Sequence, residues 1–295
     1  MSDFLVRATA GEGRIRAIAA TTTAMVEEAR RRHDCFPTAT AALGRALTAV
    51  ALLAATMKDE ESVILRISGD GPLGGIIAES DSAGRVRGFV RQPHVHLEPN
   101  ALGKLDVAGA VGRGYLHVTR DMGLKDMYTG TSEIVSGEIA EDITYYLSTS
   151  EQTPSAVALG VLVNPDGSVR AAGGYLLQML PGTGDDEGER LEQNLQALGA
   201  VTKAIDAGAG ADALLDAALA GLEHHVLGRQ AVHFQCRCSQ ERAVEIIASL
   251  GRDQVSELLQ EDHGAEMTCQ FCRSVYHLSE DDLREVLVQL GSPAP

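Results

Sequence analysis

Residues 232–242, VHFQCRCSQER, and residues 267–279, MTCQFCRSVYHLS, contain four of the five cysteines in a chain of 295 residues. The first pair, Cys236 and Cys238, has CxC spacing, and the second pair, Cys269 and Cys272, has CxxC spacing. Four thiolates from two such pairs can converge on one metal ion at about 2.3 Å, as in structural four-sulfur zinc sites. The sequence therefore predicts one zinc ion held by these four cysteines in a small carboxyl-terminal domain.

Two roles are compatible with this spacing. In the first, zinc only stabilises a domain of about 60 residues whose own hydrophobic core is small. In the second, the cysteine pairs also form a redox switch. Cα atoms two residues apart in an extended segment are roughly 6.6 Å apart, near the upper limit of about 6.8 Å for a disulfide. Cys236 could then bond Cys238, and Cys269 could bond Cys272, with loss of the metal.

Other candidate ligands lie in the same segment. His233, His263 and His277 could each replace a cysteine, but four sulfurs already complete a tetrahedral set. Cys35 has no second cysteine near it in the sequence, and we expect it to be a thiol without a functional role.

The amino-terminal half of the chain contains one motif and one histidine pair that resemble binding sites. Residues 69–74, GDGPLG, match the GxGxxG pattern of dinucleotide-binding loops, but a second strand rather than a helix is expected after them. We interpret this stretch as a turn. His94 and His96 flank a proline-containing turn and are expected on the surface. The sequence contains no Walker-type loop, GxSxG or HExxH motif.

The composition is acidic, with 25 Lys and Arg against 41 Asp and Glu and a net charge of −16. Such a surface repels phosphate backbones and anionic lipids, so we expect neither nucleic acid nor membrane as a partner. The first residues lack the apolar segment of a secretory signal, and we expect a cytoplasmic protein. The apolar stretch Ala46–Met57 is shorter than the roughly 20 residues of a membrane-spanning helix and predicts a buried helix. In a reducing cytoplasm, tight cysteine pairs favour metal binding or redox chemistry.

The patterns of the chain predict an α+β fold. Residues 1–180 are expected to form an amino-terminal domain with an antiparallel sheet and packed helices. Its expected helices cover 23–33 and 38–58, the second with Thr38 or Thr40 as its cap, and 164–167 has the sequence of a hairpin turn. Its expected strands cover 62–68, 74–80, 83–91, 112–121 and the two segments that flank the hairpin turn.

Residues 181–231 predict a Gly/Ala-rich helical linker, with helical spacing in 191–205 and 211–227. A glycine inside a helix costs about 1 kcal/mol relative to alanine, so Gly199, Gly208, Gly210 and Gly221 predict helices that depend on packing. Residues 232–295 predict the small zinc-binding domain. Its predicted elements are a helix capped by Ser239, two strands joined by the CxxC turn, and a last helix with Ser279 and Asp282 at capping-box spacing.

Several stretches together resemble the redox-regulated 33 kDa chaperonin (heat-shock protein 33) family over nearly the whole chain. They are TATAALGRALTAVALLAATMK, ISGDGPLGGI, GRVRGFV, VTRDMGLKDMYTGTSEIVSGEIAEDITYYLSTSEQTPSAVALGVLV, GGYLLQMLPG, FQCRCSQER and CQFC. The resemblance implies an ATP-independent holdase of the oxidative stress response rather than an enzyme. It also implies that Cys236, Cys238, Cys269 and Cys272 bind zinc when reduced, and that oxidation forms Cys236–Cys238 and Cys269–Cys272 disulfides.

The resemblance further implies that unfolding of the linker exposes apolar surface for unfolded or partially unfolded client proteins. Members of the family form homodimers on activation and pass clients to ATP-dependent foldases. An alternative is a nucleic-acid-binding protein with a constitutive structural zinc ribbon, but residues 232–295 contain five Arg and no Lys against eleven acidic residues. Another is a thiol oxidoreductase using CxxC, which needs an exposed low-pKa thiol in a thioredoxin-like βαβ unit.

Overall fold

The computed structural model describes residues 3–58, 61–123 and 127–291. The chain divides into two compact units, Met1–Gln235 and Cys236–Pro295, which are described separately.

The first unit combines two sheets with helices. Its strands are β1 (Phe4–Ala10), β2 (Ile15–Thr21), β3 (Ser62–Gly69), β4 (Ile76–Asp81), β5 (Arg85–Val90), β6 (Gly114–Asp121), β7 (Tyr128–Glu133), β8 (Ser155–Val163), β9 (Val169–Met179), β10 (His224–Ala231) and β11 (His233–Phe234). Its helices are α1 (Thr23–His33), α2 (Pro37–Ala54), α3 (Val107–Val111), α4 (Ala140–Thr149), α5 (Asp185–Leu198), α6 (Val201–Asp206) and α7 (Ala211–Ala218).

The first sheet, sheet A, has the strand order β10-β1-β2-β9-β8, with antiparallel neighbours throughout. The second, sheet B, has the order β11-β5-β4-β3-β6-β7 and is antiparallel except for the parallel pair of β11 and β5. Helix α2 packs against strands of both sheets. The α+β class with antiparallel sheets, predicted from the sequence, is confirmed.

Sheet A is covered on both faces, as the side chains of β9 show by entering two different cores. Successive side chains of a strand point to opposite faces. Leu176 belongs to the core that includes α1 and α2, whereas its neighbours Tyr175 and Leu177 belong to a second core formed with α5, α6 and α7. The almost uninterrupted burial of β9 is thus the pattern of a strand with helices on both sides.

Helix α2 differs in detail from its expected form. It begins at Pro37, with Phe36 as its N-cap residue and no side-chain cap, so neither Thr38 nor Thr40 caps it. Proline is favoured at the first helical position because its missing N–H is not needed there. The 18-residue helix is apolar enough to span a membrane by length and composition alone, but 89% of it is buried inside the protein, as in a core helix. The predicted burial of this segment is confirmed.

The stretch 211–227 is the clearest difference from the sequence prediction. Its helix ends at Ala218, and His224–Ala231 form the edge strand β10, paired with β1. Between them, Gly221 has a φ of +76°, which a helix interior does not allow. The helical spacing of the apolar residues therefore extends beyond the point where the helix ends and the backbone turns back.

The second unit contains α8 (Gln240–Ala248), α9 (Arg252–Glu257), a π-helical turn (Leu258–Asp262), β12 (Gly264–Thr268), β13 (Val275–Ser279) and α10 (Glu280–Gly291). The predicted cap is present, since the Arg242 amide donates to Ser239 Oγ over 3.2 Å. The predicted capping box is also present, because Ser279 and Asp282 exchange amide-to-side-chain hydrogen bonds. The buried apolar core consists of Ala243, Ile247, Val255, Leu278, Leu283 and Val286. So small a core gives limited stability on its own.

Candidate metal centre

The two cysteine pairs of the second unit are carried by different local structures. Cys236 and Cys238 lie in the irregular segment before α8, and Ser239 then begins that helix. Cys269 and Cys272 lie in the turn that joins β12 to β13. The turn was predicted from the sequence, and the antiparallel pairing of the two strands confirms it.

The backbone of the turn places Cys269 and Cys272 on the same side. The Cys269 amide donates to the Ser274 carbonyl over 2.9 Å, and the Arg273 amide donates to the Cys269 carbonyl over 2.8 Å. Arg273 adopts a φ of +61°, the left-handed conformation that closes such a tight turn. The chain therefore reverses within the CxxC motif and returns as β13.

The sulfur atoms of Cys236, Cys238, Cys269 and Cys272 lie within 4.8 Å of one another. Cys236 Sγ is 3.7 Å from Cys269 Sγ, and Cys238 Sγ is 3.3 Å from Cys272 Sγ. Four sulfurs arranged tetrahedrally about 2.3 Å from a zinc ion would be about 3.8 Å apart. No disulfide joins any of the five cysteines. The four sulfurs therefore fit a single zinc ion of this geometry.

Three of the four sulfurs also have hydrogen-bond partners from the hairpin itself. The Tyr276 hydroxyl donates to Cys238 Sγ over 2.9 Å. The Ser274 hydroxyl lies 3.2 Å from Cys272 Sγ, and the amides of Phe271 and Cys272 donate to Cys269. Donors around a thiolate cluster stabilise its negative charge and orient the ligands.

The environments of the thiols differ. Burial raises the pKa of Cys238 to about 12, against the opposing effect of the Tyr276 hydroxyl, and burial also raises the pKa of Cys269. Burial acts in the same direction on Cys272, but the hydrogen bonds with the hydroxyl and amide of Ser274 and with the thiols of Cys238 and Cys269 together outweigh it and lower the pKa of Cys272 to about 7. A coordinating metal ion deprotonates its thiol ligands outright, so a bound zinc would hold all four as thiolates.

The three candidate histidines lie outside this cluster, which among the described residues consists of the four cysteines alone. His233 lies 2.8 Å from Gln235, His263 lies 3.2 Å from Glu280, and His277 lies 3.5 Å from Glu266.

The remaining sequence candidates are also accounted for. Cys35 is buried in the first unit, and burial raises its pKa to about 12, which disfavours the reactive thiolate form. Residues 69–74 form the turn between the antiparallel strands β3 and β4, as interpreted from the sequence. His94 and His96 are exposed, as predicted.

Sequence reasoning missed Ser274 and Tyr276. Both follow Cys272 at even spacing, two and four residues later, and an extended chain places such positions on one face. Polar side chains at these positions after a CxxC turn were the signal that could have identified them.

Comparisons with known proteins agree with this geometry. The family model described as Hsp33 protein matches residues 3–279. The chain is 56% identical to a 33 kDa chaperonin from Symbiobacterium thermophilum, over 97% of each chain. It is 49% identical to a 33 kDa chaperonin from Desulforamulus reducens, covering 98% of this chain and 99% of the relative. The crystal structure of the 33 kDa chaperonin from Thermotoga maritima superimposes with a TM-score of 0.91 at 34% identity, covering 98% of this chain and 99% of that one.

Proposed function

The chain belongs to the Hsp33 protein family, and on that premise we propose that it is a cytoplasmic, ATP-independent holdase that oxidative stress activates. It is a chaperone without catalytic activity. The observation that carries the proposal is the cluster of four sulfurs within 4.8 Å, built from one CxC and one CxxC pair.

In the reduced state, Cys236, Cys238, Cys269 and Cys272 hold one zinc ion. A structural zinc contributes on the order of 10 kcal/mol to the folding of a small domain at neutral pH. Among the residues that the structure describes, the core of the second unit has six buried apolar side chains. Its folded state therefore depends on the four thiolates remaining reduced.

Oxidation removes these ligands in pairs. Formation of each disulfide, Cys236–Cys238 or Cys269–Cys272, transfers two electrons from sulfur to the oxidant. It also leaves two fewer thiolates to bind the metal. Two remaining sulfurs do not complete a tetrahedral site, so the metal is released and the second unit loses its main source of stability. A reductant restores the four thiols and reverses the change.

The apolar surface for clients lies in the first unit, beneath α5, α6 and α7, which we call the linker helices. These helices cover a face of sheet A formed by small and apolar side chains. The buried members on the strands are Val6, Ala8, Ala10, Ile15, Ala17, Ala19, Tyr175 and Leu177. Unfolding proteins expose apolar segments, and such a face would bind them without further chemistry.

Two of the linker helices, α5 and α6, bury few side chains for their length, whereas α7 buries four of its eight. In α5, 14 residues long, Leu191 is the single buried side chain, and Val201 is the single one in α6. A groove of about 580 Å³ remains between α5 and sheet A, lined by apolar side chains that include Leu177, Met179 and Leu195. Segments with few buried contacts open at low free-energy cost. Helices of this kind are suited to detach when the second unit unfolds.

One Arg–carboxylate pair joins each linker helix to a strand of sheet A or, for α5, to the turn between β1 and β2. The three pairs are Arg14–Glu187 for α5, Arg170–Asp206 for α6 and Arg229–Asp212 for α7. Solvent-accessible ion pairs contribute little to stability individually and are weakened by salt. The three pairs orient the helices but add little to the free energy required to release them.

The partners follow from the family. We propose that unfolded or partially unfolded proteins are the clients, that the activated protein forms a homodimer, and that clients pass to ATP-dependent foldases. The net charge of −16 supports proteins rather than nucleic acids or anionic membranes as partners.

Light scattering from a thermally unfolding client, without ATP, tests the proposal. Zinc-loaded reduced protein is compared with the same preparation after treatment with peroxide at raised temperature. Suppression of scattering only after oxidation, reversed by a reductant, is the expected result. Equal suppression in both states would show that the zinc site is structural and not a switch. No suppression in either state would contradict the proposed holdase activity.

A further inference from the structure

Tyr276 connects the two halves of the sulfur cluster. It lies on β13, in the hairpin that carries Cys269 and Cys272, and its hydroxyl donates over 2.9 Å to Cys238, which belongs to the other cysteine pair. On the hairpin, Tyr276 is paired with Met267 of β12, and both side chains pack against the core of the second unit. The ring is thus anchored in the core while its hydroxyl reaches the cluster.

We propose that Tyr276 is a positioning residue that keeps the Cys238 thiolate in place and makes it less reactive towards peroxide. The inference rests on the proposed function, since it concerns the same four thiolates. A hydrogen bond to a thiolate withdraws electron density from sulfur, and outer hydrogen-bond partners of metal ligands typically change metal affinity or activity by roughly 10- to 100-fold. Tyr276 would thereby raise the oxidant level at which the CxC pair reacts.

The step that Tyr276 slows is the attack of sulfur on peroxide. The Cys238 thiolate attacks one oxygen of hydrogen peroxide, the O–O bond breaks, and a sulfenic acid and hydroxide are formed. The Cys236 thiolate then attacks the sulfenic sulfur, and a second hydroxide leaves as the disulfide forms. Sulfur loses two electrons in total, and peroxide gains them. The hydrogen bond from Tyr276 to Cys238 slows the first of these steps, because the sulfur lone pair that attacks peroxide is shared with the hydroxyl proton of Tyr276.

The position of Tyr276 also makes its effect conditional. The hydroxyl stays near Cys238 only while β12 and β13 remain paired, and the turn of that hairpin contains Cys269 and Cys272. When the hairpin opens, Cys238 loses its donor. The reactivity of the CxC pair is therefore linked to the integrity of the CxxC hairpin through this one side chain.

Ser274 provides a matched comparison. Its hydroxyl lies 3.2 Å from Cys272 Sγ, and the residue directly precedes β13, two residues before Tyr276. Replacing Ser274 with Ala removes a hydroxyl from a different sulfur of the same cluster. A general loosening of the hairpin would affect both variants alike, whereas a specific hydrogen-bond effect would separate them.

The experiment measures the oxidation rate of each cysteine in zinc-loaded full-length protein exposed to hydrogen peroxide. Samples of wild type, Tyr276→Phe and Ser274→Ala are quenched over time, with unreacted thiols alkylated first and oxidised thiols alkylated with a second label after reduction. Trypsin cleaves after Arg237, between Cys236 and Cys238, so mass spectrometry reads the two cysteines separately. We expect Cys238 to react roughly tenfold faster in Tyr276→Phe. In Ser274→Ala, the Cys238 rate should stay near that of wild type.

A spectroscopic measurement separates the hydrogen bond from a packing effect. With Co²⁺ in place of zinc, loss of a donor to one thiolate shifts the sulfur-to-cobalt charge-transfer absorption of Tyr276→Phe to lower energy. An unchanged Cys238 rate, or an equal acceleration at all four cysteines, would overturn the inference. Failure of wild type to bind stoichiometric zinc would instead overturn the proposed function, and the ratio of Cys238 rates in the metal-free proteins would still decide the role of Tyr276.

Discussion

The Arg14 guanidinium lies 3.1 Å from Glu187 Oε1 and so joins the turn between β1 and β2 to the first turn of α5. The second carboxylate oxygen of Glu187 accepts a hydrogen bond from the Gly184 amide over 2.9 Å. One side chain thus caps α5 at its start and attaches it to sheet A. The two partners hold the pKa of Glu187 below its ordinary value, the amide of Gly184 having the larger effect.

Replacing Glu187 with Ala should loosen α5 because it removes both contacts. We expect hydrogen exchange of the α5 amides to become several-fold faster, with α4 unchanged, since local opening is governed by local contacts. Gln193→Ala, an exposed position in the same helix, is the control and should leave exchange unaltered. If α5 exchanges at the wild-type rate in Glu187→Ala, the helix is held by its apolar side chains alone.

Asp142 organises the segment before α4. Its Oδ1 accepts from the amides of Val135, Ser136 and Gly137 over 2.9, 2.8 and 3.2 Å, and its Oδ2 accepts from Ile139 over 2.9 Å. These bonds support Ile139 at a φ of +67°, a conformation that costs energy for a β-branched residue.

Asp142→Ala should therefore lower the free energy of unfolding by about 2 kcal/mol or more, because buried amides lose their acceptors. Asp142→Asn keeps one oxygen for three amides and should lose less. Denaturant unfolding of the three proteins gives the comparison. Equal stability of Asp142→Ala and wild type would mean that water replaces the carboxylate at no cost.

Asp3 makes the stability of the first unit depend on pH. Its Oδ2 accepts from the Met25 amide over 2.6 Å and caps α1, whose own N-cap residue Thr22 offers no side-chain bond. Burial raises the pKa of Asp3 above its ordinary value of 3.8, although the amides of the first turn of α1 oppose this. The folded protein thus binds the proton of Asp3 more tightly than the unfolded chain does.

The stabilising contribution of Asp3 is then complete below its unfolded pKa and is lost as pH rises through its folded pKa. Asp3→Asn carries no titrating proton and is the reference. The stability of wild type minus that of Asp3→Asn should fall as pH increases from about 4 towards neutrality. Chemical denaturation of both proteins over this range measures it, and groups shared by both cancel. A difference that rises or stays constant would contradict the prediction.

Much of the fold was predictable because its elements have clear local signals. The period-two strands β3 to β5, the hairpin turn at 164–167 and the helix starting at Thr23 lie where the sequence indicated. The strand β10 did not, because its residues HHVLGRQA have no alternating apolar pattern and are mostly exposed at a sheet edge. Its pairing with β1 joins segments more than 200 residues apart. Such pairing depends on tertiary structure rather than local propensity.

The sulfur cluster was predictable for a different reason. Four thiolates are chemically distinctive, and their spacing alone limits the geometries they can adopt. The hydrogen bond from Tyr276 was not predictable in the same way, because a tyrosine in a short strand is most often a packing residue. Its role depends on a contact between side chains 38 residues apart in the chain.

The ligand assignment predicts the behaviour of Cys269→Ser. A serine hydroxyl is a poor zinc ligand at neutral pH, so zinc affinity should fall by more than the roughly 100-fold that loss of an outer hydrogen-bond partner costs. Because the second unit has a small core, the variant should be partly unfolded and should suppress client aggregation without oxidant. Zinc stoichiometry, measured by a chromogenic chelator, and light scattering give both readouts.

Cys35→Ala is the control, since Cys35 is buried in the first unit, outside the cluster, and its loss should leave zinc binding unchanged. Tight stoichiometric zinc in Cys269→Ser would show that Cys269 is not a ligand, and zinc loss without chaperone activity would separate the metal from the switch.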